Sequence, residues 1–396
     1  MTQSHAGSVR EVFTAFLWLG LTSFGGPVAH LGYFRTEFVQ RRQWLDEQSY
    51  ADLVALCQFL PGPASSQVGF ALGQFRAGAL GAAAAWIAFT LPSALLLVLF
   101  ALGATWMTGP LGVGLVHGLK IVAVAIVAHA VWGMARNLCP DKPRAAIALL
   151  AVFTVFLVHG TLGQVSAIAV GALLGWWWCR DYVEQAHTQT GVSLGRPAAV
   201  VSLVLVSGLL GALPVLAALS DNLGIALFDA FYRTGALVFG GGHVVLPLLQ
   251  AEVVQPGWVS ADAFLAGYSA AQAVPGPLFS FSAYLGWVSA GAWGAAVALV
   301  AVFLPGFLLL LAVLPFWNQF RQWATVQSVM RGANAAVVGL LAAALYDPVW
   351  TSAIVGPFDF ALALLGFLLL TLWRVSPLWV VGILTSGGLL IHWFAG

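Results

Sequence analysis

Residues 24–27 read Phe-Gly-Gly-Pro and residues 58–63 read Gln-Phe-Leu-Pro-Gly-Pro. About 215 residues later the chain returns to the same words, as Phe239-Gly240-Gly241-Gly242 and then Gln272-Ala273-Val274-Pro275-Gly276-Pro277. Each motif lies within a stretch otherwise apolar enough to enter a bilayer. Proline inside a helix removes an N–H donor and clashes with the preceding turn, and glycine opens conformations closed to other residues, so each motif is expected to end one helix and start another. Helices broken at matching depths in two halves are how secondary transporters build a substrate site.

The repeat extends well beyond these motifs. At an offset of 215, Phe13, Phe16, Gly20, Glu37 and Gln40 meet Phe228, Phe231, Gly235, Glu252 and Gln255. After one deletion, Trp44 meets Trp258 and Gly118 meets Gly332, and one more shift brings Gly78, Gly81, Leu91 and Pro92 onto Gly291, Gly294, Leu304 and Pro305. Two stretches rich in Leu, Ala and Gly would not align their rarer Trp, Gln and Pro by composition alone.

Composition sets the class. Of 396 residues, 61% are hydrophobic and 7% charged, where a soluble domain carries roughly 25% charged residues. Recurrent unbroken apolar runs, each near the length that crosses about 30 Å of hydrocarbon, give an all-α, polytopic helical membrane protein and exclude an alternating-pattern barrel. A net charge of +1 offers no basic stripe for nucleic acid. Cys57, Cys139 and Cys179 form neither a CxxC pattern nor a disulfide framework, so no metal site or cofactor is expected. The polar residues 1–10 and the absence of a small-residue cleavage site after the first apolar stretch imply no removable signal peptide.

Apolar segments lie near 12–32, 50–75, 82–106, 112–134, 145–159 and 162–179, then 199–219, then 228–250, 263–287, 293–316, 327–346, 358–373 and 377–395, thirteen in all. We read residues 1–195 as the first repeat with its polar linker, Arg180 to Arg196, and 196–396 as the second, with 199–219 as an extra linking helix. An odd number of crossings then separates matching elements, which inverts the two repeats. With the amino terminus inside, only Arg35, Arg41 and Arg42 offend the excess of positive charge on the cytoplasmic side. They obey it if 12–32 and 50–75 enter the membrane and turn back, which the breaks would permit.

Where a half-helix begins, its first amides are unpaired and its dipole is positive, so an anion is the natural occupant. The expected donors are the amides of Gly25, Gly26, Gly62, Gly240, Gly241 and Gly276, the side chains of Gln58 and Gln272, and the hydroxyls of Ser65, Ser66 and Ser280, with Ser282 close by. Lys120 and its counterpart Asn334 would add a cation and an amide. His30 and His243 follow the two Phe-Gly-Gly breaks without being aligned, and His243 is counted with the site; either could donate to an anion or carry a proton. Arg233 reads as the partner of Asp229, and the tryptophans, Trp176-Trp177-Trp178 among them, as interfacial anchors. The fingerprints of ATP hydrolysis and of the common hydrolases do not occur, so the chain is not read as an enzyme.

The paired pattern of Phe24-Gly25-Gly26-Pro27 and Gln58 with Pro61-Gly62-Pro63, together with its second-half copies, resembles the chromate ion transporter family in its long two-domain form, over essentially the whole chain. The resemblance implies two homologous halves in a bacterial inner membrane that export chromate and confer chromate resistance. Chromate is the expected partner, with sulfate, a dianion of the same shape, as the alternative; membrane lipid surrounds the chain and a homodimer stays open. A static anion channel and a lipid-headgroup enzyme are the competing classes.

Overall fold

A computed structural model describes residues 7–104, 109–158, 160–180, 196–239, 241–317 and 323–395. Among these residues the protein is helical, without strands. The first repeat begins with α1 (Val9–Thr22), started by the Ser8 hydroxyl accepting from the Glu11 amide. After the break at Ser23–Gly25 come α2 (Gly26–Phe34) and a wider π turn over Arg35–Arg41. Next, α3 (Glu47–Phe59) is capped by Asp46 and ends at Leu60, ahead of Pro61-Gly62-Pro63. The long α4 (Ala64–Ala104) is two helices joined at Ala77-Gly78, where Gly78 has φ +67° and the chain folds back so sharply that Gly73 and Gly81 touch through their backbones.

The two broken segments turn back, as the arginines required. Trp44 Nε1 donates to Glu11 at 3.2 Å, Arg76 donates to Glu11 at 3.1 Å, and the Arg76 guanidinium lies over the Trp44 ring. The start of α1, the end of the π turn and the end of the first arm of α4 therefore meet at one face. The α1, α3 and first α4 arms run 13 or 14 residues, about 20 Å, too short for about 30 Å of hydrocarbon. Arg35 and Arg42 pair with Glu47 and Glu37 at the same face. The expectation of thirteen crossings thus falls by four, two in each repeat, and the odd parity survives.

The remaining helices are α5 (Pro110–Leu138), α6 (Lys142–Leu157), α7 (Gly160–Trp178) and the linker α8 (Arg196–Leu219). The second repeat follows as α9 (Leu223–Leu237), α10 (Val245–Val253), α11 (Ala261–Ala273), α12 (Phe281–Val313), α13 (Ala324–Ala344), α14 (Pro357–Thr371) and α15 (Pro377–Ala395). Among the described residues, five stretches are long and apolar enough to cross a membrane: Ala64–Gly103, Leu111–Leu138, Pro197–Leu219, Leu278–Phe316 and Ala324–Ala353. Within α8 only 22% of the apolar window is buried. This helix is therefore uncovered by the rest of the chain on most sides, and its contribution is to return the chain to the opposite face.

The repeats are inverted. Trp86 of α4 meets Phe303 and Phe307 of α12, Ala94 shares a cluster with Ala295, and Phe100 meets Tyr284, so positions rise along one helix as they fall along its counterpart. The halves also interleave. Gly118 of α5 packs on Thr385 and Gly388 of α15, while Gly332 of α13 packs on Gly171 and Gly175 of α7. Glycine at these crossings lets backbones touch, which is how helices associate where lipid offers no hydrophobic drive.

Candidate functional site

The four breaks converge at one place. The Gly62 amide donates to the Val238 carbonyl at 2.7 Å and the Gly276 amide donates to the Ser23 carbonyl at 2.9 Å. Each Pro-Gly-Pro tip therefore docks on the Phe-Gly-Gly break of the opposite repeat, in reciprocal fashion. Both glycines have left-handed φ, +120° and +99°, which side chains adopt at a cost. A β-carbon on Gly62 would come within 3.0 Å of the Gly306 Cα, and one on Gly276 within 2.8 Å of Ser93 Oγ and 3.2 Å of the Phe89 carbonyl.

The two Phe-Gly-Gly breaks also face each other, since a β-carbon on Gly242 would sit 3.2 Å from the Pro27 ring. Gly26 and Gly241 border open space, with nothing within 4 Å of where a β-carbon would lie. No side chain caps the start of α2 or of the 3-10 turn Gly242–Val244. Their amides at the helix starts thus have no side-chain acceptor.

The lining is chemically one-sided. Fully buried His30 places Nδ1 3.4 Å from Ser65 Oγ and its ring edge-on to Phe89. The hydroxyls of Ser23, Ser66 and Thr90 are buried without a hydrogen-bond partner, as is Gln272 Nε2 from the second repeat. Ser93 donates to the Thr90 carbonyl, and Gln67 donates to the carbonyls of Pro61 and Gly306, bracing the first tip from within. Unpartnered buried donors cost about 1–3 kcal/mol each, so a cluster of them marks a place where something else is to be bound.

Several expected site residues lie elsewhere or are differently engaged. The Gly62 and Gly276 amides are consumed by the reciprocal bonds, so those glycines shape the site rather than donate to an anion. Ser280 and Ser282 donate to the Pro277 and Phe279 carbonyls at 2.6 and 2.8 Å, as residues in a first helical turn readily do. Gln58 is on the exposed face of α3. His243 bonds Tyr268 through Nδ1 at 2.8 Å. Gly240 lies outside the described residues. Lys120 and Asn334 do not meet at the breaks: the Lys120 ammonium is bound to Asp262 at 2.8 Å, twelve residues, or about 18 Å of helix, ahead of the tip at Val274. Asn334 sits on α13 with a buried, unpartnered Oδ1. Ser23, Thr90 and Ser93 escaped the sequence reading because they flank the motifs without belonging to them, and only the docking of the opposite tip brings them in. The signal that could have found them was a difference in register between the repeats, where Ser23, Thr90 and Ser93 stand opposite Val238, Phe303 and Gly306.

Two clusters of charge away from the site are ion-paired. Glu37 bonds Arg41 and Arg42, and its repeat counterpart Glu252 bonds Arg233, which also holds Asp229. At the start of α6 the Arg144 side chain holds the Asp141 carboxyl below the usual aspartate range. Among the described residues no cluster has the composition of a metal site.

Comparison with known proteins gives the same picture of two halves. The chain is 29% identical over 355 residues to a probable chromate transport protein of Synechococcus elongatus, covering 86% of this chain and 84% of that one. It is 28% identical over 353 residues to the chromate transport protein of Cupriavidus metallidurans, covering 85% and 82%. Against the chromate transport protein of Pseudomonas aeruginosa it is 27% identical over 349 residues, covering 86% and 81%. No solved structure matches it. Residues 10–176 and 225–391 each match the family described as chromate transporter, the two stretches coincide with the inverted repeats, and the chain belongs to that family.

Proposed function

We propose that the protein carries chromate, as a tetrahedral dianion, out of the cytoplasm of a bacterial cell across its plasma membrane. The observation that carries this reading is the convergence of the four breaks, with uncapped amides at Gly25, Gly26 and Gly241 and a lining of Ser23, His30, Ser65, Ser66, Thr90 and Gln272. Amides, hydroxyls and an imidazole supply donors on several sides of one small volume, and an oxyanion has acceptors on every side. A bound dianion there would use donors that otherwise stay unpaired.

Direction follows from charge. The face where Glu11, Trp44 and Arg76 meet also carries Arg35, Arg41 and Arg42, and the helix directions bring Arg136, Lys142, Arg144, Arg180 and Arg374 to the same side. This excess makes that face cytoplasmic. A dianion leaving a negative interior gains roughly 2.3 kcal/mol per charge per 100 mV, about 4.6 kcal/mol in all. The potential alone can therefore drive export, with the two hairpins of one repeat yielding as those of the other close.

Everted membrane vesicles test the reading. Chromate uptake should saturate, show counterflow, and be inhibited by sulfate only as a competitor. Uptake that neither saturates nor shows counterflow would assign the breaks to a static channel; competition by sulfate at equal concentration would make chromate one of several dianions carried.

A further inference from the structure

A second feature of the molecule lies between the breaks and the face opposite the arginines. It is a cavity of about 590 Å³ lined by Lys120, Asp262, His117, Asp359 and His392, with apolar walls that include Phe358. Two cross-repeat pairs cross its polar wall, Lys120 with Asp262 and His117 with Asp359, each at 2.8 Å. The Lys120 side chain is 14% exposed and that of Asp262 is 61% exposed. The cation is thus the more buried partner, while the carboxylate sits at the solvent side on the first turn of α11, where the helix dipole stabilises it independently of the lysine.

The position of Lys120 along the path is fixed by its neighbour. The Leu119 carbonyl accepts from Ser269 Oγ at 2.6 Å, and Ser269 lies five residues, or about 8 Å of helix, before the tip at Val274. The lysine backbone therefore stands close to the breaks, and its ammonium reaches outward to the base of the same hairpin. The register of the repeat offers a control for this arrangement. Lys120 corresponds to Asn334 and Asp262 to Gln48, two neutral side chains that cannot form an ion pair on the cytoplasmic side.

We infer that the cavity is an exit site for the divalent oxyanion, at which Lys120 exchanges the Asp262 carboxylate for the transported anion. The inference rests on the transport reading above. While Lys120 holds Asp262 the wall offers the dianion no unpaired cation from this pair, and α11 is tied to α5. As the anion arrives from the breaks it takes the lysine, Asp262 is left in water at the helix start, and the hairpin base is freed. On departure the carboxylate returns, so the anion is released rather than trapped. No covalent bond changes in this exchange; only an ionic partner is traded.

Everted vesicles present the exit side in their lumen, and the experiment compares inhibition of chromate uptake by chromate preloaded in the lumen with the KM for chromate added outside. Asp262→Asn, which removes the competitor, should lower the half-inhibiting lumenal concentration about tenfold, and Lys120→Gln should raise it about tenfold, with the external KM unchanged. Lys120→Arg keeps the charge and the pair and should stay within about twofold of the wild type, separating loss of charge from loss of folding. Equal shifts on both sides, or intact flux with unshifted lumenal inhibition, would overturn the exit site and leave the transport reading standing. Wild-type vesicles that move no chromate would overturn both.

Discussion

The two repeats share a backbone and differ in what they present to its centre. Their bends match to within a few degrees, Ala77 and Gly78 at φ/ψ −145/24° and 67/−159°, Ala290 and Gly291 at −150/27° and 64/−153°. Their tips dock reciprocally. In the same register Ser23, His30, Ser65, Thr90 and Ser93 of the first repeat stand against Val238, Val245, Phe279, Phe303 and Gly306 of the second. In the proposed transport cycle, symmetry of the backbone would give two arrangements of similar energy, one open to each side, which alternating access needs. Symmetry of the lining would work against it. Two polar sets would bring two dianions together, or leave a second set of buried donors unpaired at about 1–3 kcal/mol each. In the proposed site, a wall rich in donors facing a mostly apolar wall, to which Gln272 adds one side-chain donor, would hold a single anion and keep water from the far side, where each donor then counts for more.

The largest expected effect comes from disturbing what the repeats share. Alanine at Gly62 or Gly276 combines left-handed strain of about 1–2 kcal/mol with contact against the Gly306 backbone or against Ser93 and the Phe89 carbonyl. Either variant should lose on the order of 100-fold in chromate uptake, since each 1.36 kcal/mol is tenfold, while immunoblots show normal protein in the membrane. Ser93→Gly copies the second repeat's pairing and should recover part of the loss in Gly276→Ala but none in Gly62→Ala. Full flux in both single variants would remove the breaks from the transport path.

Next come the residues in which the repeats differ. His30→Val makes the first repeat resemble the second and removes one donor to a charged ligand, worth about 1.5–3 kcal/mol; the KM for chromate should rise roughly 10- to 100-fold. Val245→His, the reverse exchange, should not tighten binding and should lower stability, because it buries a polar ring in an apolar wall. A gain in affinity from Val245→His would show that both walls hold the substrate. A sharper contrast lies in Ser66 and Ser280, which share one register position. Ser66 Oγ is free and Ser280 Oγ is bonded to the Pro277 carbonyl. Ser66→Ala should raise KM by about tenfold, or 1.4 kcal/mol, and Ser280→Ala should leave it unchanged; equal shifts would mean that the second wall also donates.

The repeat, the breaks and the inversion were legible in the sequence because each leaves a mark there: glycine and proline where the backbone must break, rarer residues in register, an odd helix between the halves. The turning back of α1–α2 and of α3 with the first arm of α4 was legible through Arg35, Arg41 and Arg42, whose charges were expected on the same face as the other arginines and lysines. The lining was only half legible. Ser65, Ser66 and Gln272 stand in the motifs, whereas Ser23, Thr90 and Ser93 become site residues only because the opposite tip docks on them, a long-range contact without a local signal. The partner of Lys120 was not legible, for a related reason. A lone cation in an apolar run asks for an anion, and the nearest one, Asp262, belongs to the hairpin of the other repeat.

The smallest effect tests the shared backbone alone. Gly78 and Gly291 turn the chain at φ/ψ 67/−159° and 64/−153° with nothing within 4 Å of a β-carbon, so alanine meets no neighbour at either place and only the positive-φ, extended-ψ backbone, a region nearly reserved for glycine, is penalised, by about 1–3 kcal/mol. Gly78→Ala and Gly291→Ala should therefore lower the thermal stability of the detergent-solubilised protein by the same modest amount and leave the KM for chromate as it was. Equality is the informative outcome, because the two bends sit at opposite faces and in repeats with different linings. If Gly78→Ala cost clearly more than Gly291→Ala, the hairpin of the first repeat would carry strain that its counterpart lacks, and the two orientations of the transporter would differ in energy at the level of the backbone rather than only in what lines the site.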